Sequence, residues 1–487
     1  MSDQSGAAAD DLLADRSLPG RWVRQWAAGP DRAQITDVDG TEISTLQLEE
    51  RTRRAAQGLI GAGLVPGDRV VLSAPTSAGF VQAYVAALRA GLVVVPMNTG
   101  YTRSEVEAVV SDARPAAAIV DSDERAGWIR EAAGRPVEVL GPELRLPEAP
   151  DAVLDAAAAE DMALLVYTSG TTGRPKGVPL THANLLASIT GVGRAWRWTA
   201  EDRLLLTLPL FHVHGLGVGV NGVLAHGAAM DLRAGFDVAD VAARARSGRV
   251  SLFFGVPAMY HRIADAGAAD ALRALRLVVS GSAPLPATLA TAIGDAAGQL
   301  PLERYGMTET MMLTGNPYDG PRRPGTVGVP FPGVEVRLAA DGEIQVRGPN
   351  VIGAYFNRPD ADAEAFTDDG WFRTGDLGEH DADGYLRISG RSKDLVITGG
   401  FNVHPVEVED ALVSHPAVVE AAVVGRPSEA WGEEVTAVVV LEGPVSDADL
   451  RTHVAQRLAA YKVPKRFERV DRLPRNALGK VLRQSLR

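Results

Sequence analysis

The segment Ala163-Leu-Leu-Val-Tyr-Thr-Ser-Gly-Thr-Thr-Gly-Arg-Pro-Lys-Gly177 joins an apolar run to a loop of glycines and hydroxyl side chains. The run ALLV predicts a buried strand. The glycines let backbone amides turn toward an anion, and Lys176 adds a mobile positive charge. It is not a Walker loop, because glycine rather than serine or threonine follows the lysine. A polar turn that only ends a strand explains this density of donors less well. The residues predicted to bind phosphate are Thr168, Ser169, Gly170, Thr171, Thr172, Gly173 and Lys176.

Short apolar runs alternate with helical periodicity on both sides of this loop. RVVLSA precedes a helical pattern around FVQAYVAALRAG, and the alternation continues to Gly306. Strands separated by helices of this length pair in parallel. Shorter alternating strands follow between Pro330 and Gly348, and helices and strands resume after GYLRISGR. The sequence therefore predicts an α/β protein, with a large N-terminal domain (1–389) of parallel α/β sheets plus a small β-barrel-like piece, followed by a small α+β C-terminal domain (390–487).

Length and composition agree with two domains and limit the classes of partner. The chain has 487 residues, no cysteine and a net charge of −12. The negative charge disfavours nucleic acid or a membrane as a partner, and the absence of cysteine excludes disulfides and thiolate metal sites. The acidic start lacks the apolar block of a secretory signal, and no apolar stretch reaches the ~20 residues needed to span a bilayer. We expect a cytoplasmic protein. Its protein partners, if any, are not predictable from the sequence.

Three later motifs accompany the phosphate loop in order along the chain. They are Glu303-Arg-Tyr-Gly-Met-Thr-Glu309, the segment from Tyr385 to Asp394 around ISGRSKD, and Pro474-Arg-Asn-Ala-Leu-Gly-Lys480. With YTSGTTGRPKG, they resemble the adenylate-forming superfamily, which includes acyl-CoA synthetases, luciferases and the adenylation domains of peptide synthetases. The resemblance extends from about Gly63 to Lys480. It implies use of ATP, Mg²⁺ and coenzyme A.

The resemblance implies roles at the nucleotide. Glu309 would help to hold Mg²⁺, a hard cation that takes oxygen ligands. Tyr305 would stack on adenine, Asp376 would accept hydrogen bonds from the ribose hydroxyls, and Arg391 would reinforce that contact. Catalytic roles are implied for Lys480, Glu309, Thr168 and Lys176. The other implied nucleotide-binding residues are Gly281, Ser282, Ala283, Pro284, Glu303, Arg304, Gly306, Met307 and Thr308.

Lys480 and the hinge follow from the same resemblance. The equivalent lysine of the family bridges the substrate carboxylate and the α-phosphate during adenylation, and the small domain that carries it is mobile. Lys393 lies where the family places its pivot. Gly399, Gly400, Phe401 and Lys465 are implied on the coenzyme A side. A solvated lysine on a terminal tail is the plain alternative for Lys480.

The residues predicted to bind the acid are His214, Arg262, Ser282 and Met307. An arginine on the VPAMYHR helix is unexpected for an alkyl or aryl tail, because an unpaired buried guanidinium is costly. It is explained if the acid carries a second carboxylate, which Arg262 could clamp. The alternative is an exposed Arg262 paired with Asp265. The blocks LPLFHVHGL and TGNPYDGPRRPGTVG resemble malonyl-CoA synthetases, in which the equivalents of Arg262 and His214 contact the distal carboxylate.

These observations predict an ATP-dependent acid–CoA ligase for malonate, with methylmalonate left open because one methyl group is weakly discriminated. A medium-chain or aryl acid–CoA ligase is the nearest alternative. A non-catalytic nucleotide-binding protein of the same fold would not need to keep Lys176, Glu309, Asp376, Arg391 and Lys480 together. A peptide-synthetase module is disfavoured, because no carrier domain follows Lys480 in this sequence.

Overall fold

The computed structural model of the protein describes residues 16–29, 31–144, 146, 149–168, 175–398, 400–428, 431–475 and 480–487. In chain order, the strands β1 to β24 are Ala33–Thr36, Glu42–Ser44, Arg69–Ser73, Val93–Pro96, Ala117–Val120, Glu138–Leu140, Met162–Thr168, Lys176–Thr181, Arg203–Leu206, Ala229–Leu232, Leu252–Gly255, Leu277–Ser280, Leu302–Met307, Met311–Gly315, Val329–Pro330, Glu335–Leu338, Glu343–Arg347, Phe372–His380, Leu386–Arg391, Val396–Thr398, Phe401–Val403, Val418–Ser428, Gly432–Leu441 and Arg466–Arg469.

The α-helices of the described residues are numbered α1 to α13. They are Leu18–Ala28, Thr45–Gly61, Ala78–Arg89, Arg103–Ala113, Asp123–Ala133, His182–Ala195, Asn221–Ala225, Val238–Arg246, Pro257–Asp265, Ala287–Ala297, Pro359–Ala365, Pro405–Val413 and Asp447–Ala455. A π-helix covers His214–Val220, and 3₁₀ turns cover Ala269–Ala274, Ser392–Asp394, Ala460–Lys462 and Arg483–Leu486.

Two mainly parallel sheets form the body of the N-terminal domain. One has the strand order β6-β5-β3-β4-β7-β8, and the other has the order β15-β14-β13-β12-β11-β9-β10-β1-β2. β8 pairs antiparallel with β7, and antiparallel strands also close both ends of the larger sheet. The α/β class and the parallel pairing predicted from the alternation are confirmed. The sequence predicted more than one parallel sheet, but not which strands belong to each.

Helices α3 and α6 lie in a core that includes residues of both parallel sheets. α3 is buried along nearly its whole length, as its sequence AGFVQAYVAALR requires, because a helix that is apolar on most sides needs neighbours on most sides. Its start is capped by the side chain of Ser77, which accepts a hydrogen bond from the amide of Phe80. This shared core fixes the two sheets relative to each other.

The remaining strands form two smaller sheets. β16 to β19 make an antiparallel sheet in sequence order, as the alternating segments after Pro330 predict. β20 to β24 make a mixed sheet that packs with α12 and α13 around a separate core, which includes Val396, Val408 and Val435. The small α+β C-terminal unit is therefore present. The predicted boundary between residues 389 and 390 falls within β19, and it stays a prediction.

Candidate active site

The ends of β7 and β8 carry the first set of predicted residues. Thr168 ends β7 and pairs with Lys176, which begins β8. Both are partly exposed. The ammonium of Lys176 lies 5.2 Å from the centre of the Tyr355 ring. The predicted phosphate-binding residues Ser169, Gly170, Thr171, Thr172 and Gly173 lie outside the described residues.

Glu309 is buried beside the start of β14. Its Oε1 atom accepts a hydrogen bond from the hydroxyl of Tyr355 at 3.1 Å, and burial raises the pKa of the carboxyl above its usual value. The nearby charges of Arg391 and Lys176 act in the opposite direction and lower that pKa. Glu309 thus lies within electrostatic reach of the phosphate-loop lysine. Tyr355 joins the two.

Tyr305, Asp376 and Arg391 form a continuous polar chain. The hydroxyl of Tyr305 donates to Asp376 Oδ2 at 2.6 Å, and Arg391 Nε donates to Asp376 Oδ1 at 2.9 Å. The pairing of β18 with β19 sets Asp376 opposite Arg391, so the sheet register fixes this ion pair. Asp376 and Tyr305 are both buried. This arrangement places an anchored carboxylate and an aromatic ring together.

The loop after β12 is held by a buried carboxyl. Glu303 Oε1 accepts a hydrogen bond from the amide of Leu285 at 2.9 Å, and burial raises the pKa of Glu303 to about 8. Ser282, in this loop, has a φ of 70°, a left-handed conformation that is uncommon for a residue other than glycine. Strain of this kind persists where the surroundings hold the residue firmly, and it is concentrated at functional sites. Ala283 and Pro284 follow Ser282 at a partly exposed edge.

A cavity of about 180 Å³ opens beside this loop, at the carboxyl ends of the parallel strands β9, β11 and β12. This is the edge at which open α/β sheets bind ligands. Its polar lining includes His214, whose Nδ1 lies 3.2 Å from Ser282 Oγ. The complete lining is Leu208, Pro209, His212, His214, Gly215, Phe236, Val256, Ala258, Met259, Arg262 and Ser282.

Arg304 is buried and lies within electrostatic reach of His212 and His214, which line this cavity. Its Nε and Nη2 atoms have no hydrogen-bond partner among the described residues, and burial lowers the pKa of the guanidinium to about 9. Gly281 allows the guanidinium to lie there, because a Cβ atom at that position would come within 2.3 Å of Arg304 Nε. Buried charges are normally paired. A buried guanidinium with unpaired donors is therefore suited to bind an anion.

Two histidines share this environment. Burial, together with the nearby charges of Arg304 and Lys480, lowers the pKa of His212 to about 4. Burial, Arg304 and His212 also hold the pKa of His214 well below its usual value, and the Nε2 atom of His214 meets no hydrogen-bond partner in the part of the chain that the structure describes. Both imidazoles are therefore neutral at pH 7. Neutral rings beside cationic side chains make a site that attracts an anion.

Arg262 lines the outer part of the cavity. Its guanidinium lies 4.8 Å from the centre of the Phe236 ring, and the side chain is exposed. The alternative ion pair with Asp265 is not what the structure displays, because Asp265 instead meets His261 at 3.2 Å. Met307, at the end of β13, is partly buried against the main core.

Lys480 lies close to the nucleotide-binding set. Burial lowers the pKa of Lys480 to about 8; the positive charge of Arg391 lowers it too, whereas Asp376 raises it. Lys480 also contributes to the lowered pKa of His212 at the cavity. The ammonium therefore lies within electrostatic reach of both the predicted ribose carboxylate and the cavity. Thr308 and Gly306 lie between these features on the strand end and turn that carry Glu309.

The predicted hinge residue Lys393 lies within electrostatic reach of Arg391, Asp376 and Lys480, and the residues predicted on the coenzyme A side lie on the C-terminal unit. The side chain of Arg487 donates to the carbonyl of Lys393 at 3.2 Å, and burial lowers the pKa of Lys393. Phe401 is half exposed and stacks on Tyr461, with ring centres 4.7 Å apart. Lys465 lies 5.5 Å from the centre of the exposed Trp431 ring. Gly400 has a φ of 82°, and the predicted Gly399 lies outside the described residues.

The structure thus brings Lys176, Glu309, Tyr305, Asp376, Arg391 and Lys480 around one region, and it sets His214, Ser282 and Arg262 around the adjoining cavity. Sequence reasoning did not single out His212 or Tyr355. A tyrosine shortly after an ordinary strand carries no local signal. Arg304 was predicted only as part of the nucleotide motif, because its burial and free donors are not visible in the sequence.

Family models match two segments of the chain. The AMP-binding enzyme model matches residues 22–356, and the model of the AMP-binding enzyme C-terminal domain matches residues 407–480. The chain belongs to the AMP-binding enzyme family. It is an acid–CoA ligase of this adenylate-forming family. The resemblance inferred from the motifs is confirmed.

Its relatives act on different acids. The chain is 38% identical to a feruloyl-CoA synthase of Amycolatopsis sp, over 96% of this chain and 98% of that protein. It is 36% identical to an oxalate–CoA ligase of Arabidopsis thaliana, over 93% and 95% of the two chains. It is also 36% identical to a mitochondrial malonate–CoA ligase of Mus musculus, over 97% and 90% of the two chains.

A solved relative has the same fold throughout. The crystal structure of ATP-bound MatB from Rhodopseudomonas palustris matches with a TM-score of 0.90 at 38% identity, and covers 97% of this chain and 98% of that one. None of the helices in the described part of this ligase combines the length and apolar character needed to cross a membrane.

Proposed function

We propose that this ligase activates malonate, or a close short dicarboxylate such as methylmalonate, with ATP and transfers it to coenzyme A. The observation that carries the proposal is the buried guanidinium of Arg304, which has two nitrogen atoms without a partner among the described residues and lies within electrostatic reach of the cavity-lining His212 and His214. A distal carboxylate would supply its missing partner in a charge-assisted pair.

In the first half-reaction, a carboxylate oxygen of the acid attacks the α-phosphorus of ATP. The bond between the α-phosphorus and the oxygen that bridges it to the β-phosphorus breaks, and pyrophosphate is released. Two anions must meet, so preorganised positive charge is needed where negative charge develops. Lys176 would meet pyrophosphate, and Lys480 would meet the attacking carboxylate and the α-phosphate. Tyr305 and Asp376 would hold the adenosine. The lowered pKa of Lys480, about 8, still leaves it mainly charged at pH 7.

Glu309 fits a Mg²⁺ ion that arrives with ATP. Mg²⁺ keeps several waters and is held through one or two carboxylates plus substrate phosphates. Glu309 offers one buried carboxylate, and across the described ranges no three histidine or acidic residues gather as a metal site of their own. When bound, the ion neutralises charge on the phosphate oxygens.

In the second half-reaction, the thiolate of coenzyme A attacks the acyl carbon, and the bond to the phosphate oxygen breaks to release AMP. The chain has no cysteine, so the sulfur comes from coenzyme A. Rotation of the C-terminal domain about Lys393 would bring Gly399, Gly400 and Phe401 toward the pantetheine arm. Lys465 beside the exposed Trp431 is suited to contact the nucleotide end of coenzyme A.

The size and chemistry of the cavity support a short acid. At about 180 Å³ it is smaller than the roughly 300–1,000 Å³ of ordinary small-molecule pockets. Arg304 and His214 would face the distal carboxylate from the inner side, with Ser282 as a hydroxyl partner and Arg262 at the rim. The malonate–CoA ligase of Mus musculus, at 36% identity, supports the same assignment.

A second candidate is an aryl acid–CoA ligase. It is favoured by the 38% identity to feruloyl-CoA synthase and by the apolar part of the cavity lining, which includes Leu208, Val256 and Met259. An aryl tail would leave the Arg304 guanidinium without a partner, which is why we prefer a dicarboxylate.

ATP–pyrophosphate exchange measured over a panel of acids tests the choice. The panel consists of malonate, methylmalonate, oxalate, succinate, octanoate, benzoate and ferulate. We expect the highest exchange with malonate, and methylmalonate within the ~10–200-fold range that one methyl group discriminates. Exchange with octanoate, benzoate or ferulate but none with malonate would overturn the proposal.

A further inference from the structure

Tyr355 lies between the two groups that are proposed to meet the phosphates of ATP. Its hydroxyl donates to Glu309 Oε1 at 3.1 Å, and the Lys176 ammonium lies 5.2 Å from the centre of its ring. The side chain is half-buried. One residue thus contacts a proposed metal ligand through its polar end and a proposed phosphate ligand through its aromatic face.

The backbone around Tyr355 is attached to the same two elements. The amide of Ile352 donates to the carbonyl of Glu309 at 2.9 Å, and the amide of Phe356 donates to the carbonyl of Gly177 at 2.9 Å. Gly177 directly follows Lys176. The segment 352–356 therefore joins the turn that carries Glu309 to the strand that carries Lys176.

Two further contacts hold this segment in place. The amide of Tyr355 donates to Asp362 Oδ1 at 2.6 Å, which fixes the backbone from the side of α11. Gly177 allows close approach, because a Cβ atom there would come within 3.1 Å of Phe356 Cβ. These contacts hold the backbone of Tyr355 in place next to Glu309 and Lys176.

The hydroxyl and the ring of Tyr355 contact different groups. The hydroxyl occupies one oxygen of Glu309 and so leaves the other oxygen to face a cation. The aromatic face attracts the ammonium of Lys176 and restricts where it lies. We propose that Tyr355 is a positioning residue for MgATP, which orients Glu309 through its hydroxyl and Lys176 through its ring. This inference rests on the proposed function, because it assumes that the chain binds MgATP.

Two variants separate the hydroxyl from the ring. Tyr355→Phe removes only the hydroxyl, and Tyr355→Leu removes both. The measurement is the dissociation constant of ATP by titration calorimetry, over a series of free Mg²⁺ concentrations and in EDTA. Pyrophosphate exchange with the best acid of the panel is followed over the same series.

For Tyr355→Phe we expect the Mg²⁺ concentration that gives half-maximal ATP affinity to rise about tenfold, because a hydrogen bond to a charged group is lost. Affinity in EDTA should stay at the wild-type value, and saturating Mg²⁺ should restore exchange. For Tyr355→Leu we expect the same change plus about two- to fivefold weaker ATP binding in EDTA, because the ring no longer holds Lys176.

Tyr385→Phe is the matched control. The hydroxyl of Tyr385 donates to the carbonyl of Pro321 at 2.9 Å, so this variant also loses one hydrogen bond of a buried tyrosine, but away from Glu309 and Lys176. It should leave the Mg²⁺ dependence unchanged. A Tyr355→Phe variant with wild-type Mg²⁺ dependence, or with a change that the control shares, would overturn the inference alone. A wild-type chain that does not bind ATP would overturn the proposed function and the inference with it.

Discussion

Replacing Arg304 with methionine removes the guanidinium and keeps a long apolar side chain of similar reach. The wild-type guanidinium is buried and has free donors at Nε and Nη2. If these donors meet the distal carboxylate of malonate, the variant loses hydrogen bonds to a charged group, each worth about 1.5–3 kcal/mol. A single such bond corresponds to a loss in kcat/KM of about 10- to 150-fold, since about 1.4 kcal/mol is a factor of ten.

The same substitution should not weaken the folded chain. An unpaired buried charge is costly in the absence of ligand, so removing it leaves the free energy of unfolding unchanged or raises it. We expect the thermal midpoint of the ligand-free variant to be no lower than that of the wild type. Two independent measurements, kcat/KM with malonate and the thermal midpoint without ligand, therefore distinguish a role of Arg304 in substrate binding from a role in packing.

The assay is ATP–pyrophosphate exchange with malonate and with butyrate, which replaces the distal carboxylate by an alkyl end. For Arg304→Met, kcat/KM with malonate should fall by the stated factor, whereas kcat/KM with butyrate should stay the same or rise. Arg262→Met is the matched comparison at the exposed rim, where screening by water predicts a smaller loss with malonate. Equal losses with both acids, or a lowered thermal midpoint, would refute the reasoning.

Four other substitutions test neighbouring parts of the site. Lys480→Ala should slow adenylation at least about 10²-fold, as expected for loss of a preorganised donor. In the wild type, kcat/KM for adenylation should fall as pH rises through about 8, where the Lys480 ammonium loses its proton. Lys480→Arg should lack this fall, because a guanidinium stays protonated. If the fall persists in Lys480→Arg, it belongs to a group other than Lys480. Gly281→Ala should reduce malonate exchange as Arg304→Met does, because a Cβ atom there would come within 2.3 Å of Arg304 Nε, and wild-type exchange would mean that the guanidinium moves freely. Tyr305→Phe should raise the dissociation constant of ATP about two- to tenfold, because the 2.6 Å hydrogen bond to Asp376 no longer orients that carboxylate, and calorimetry would contradict this if the constant were unchanged.

The family could be predicted from the sequence, and most of the residues proposed to bind ATP could be picked out with it, because the signals of both are local. The phosphate loop, the segment that ends in Glu309 and the segment that ends in Lys480 are each short runs whose residue types carry their own chemistry. Alternating apolar runs likewise predict parallel strands, since periodicity reports burial one segment at a time. The ion pair of Asp376 with Arg391 was anticipated only through the resemblance, and the register of β18 with β19 explains it.

The acid pocket depended on contacts between distant segments. The position of the Arg304 guanidinium depends on Gly281 from the loop after β12 and on His212 and His214 from the segment after β9, and none of these distances is encoded in a local pattern. Tyr355 is similar, because its proposed role arises from Glu309, on the turn between β13 and β14, and from Lys176, at the start of β8.

The sequence by itself therefore determined that this protein is an adenylate-forming acid–CoA ligase, and which residues are suited to meet ATP. Only the tertiary structure decided that the Arg304 guanidinium is buried with two nitrogen atoms unpaired among the described residues, and where it lies. The physical reason is that the identity of a side chain is local, whereas its desolvation and the absence of a counter-charge are set by whichever segments the fold packs around it.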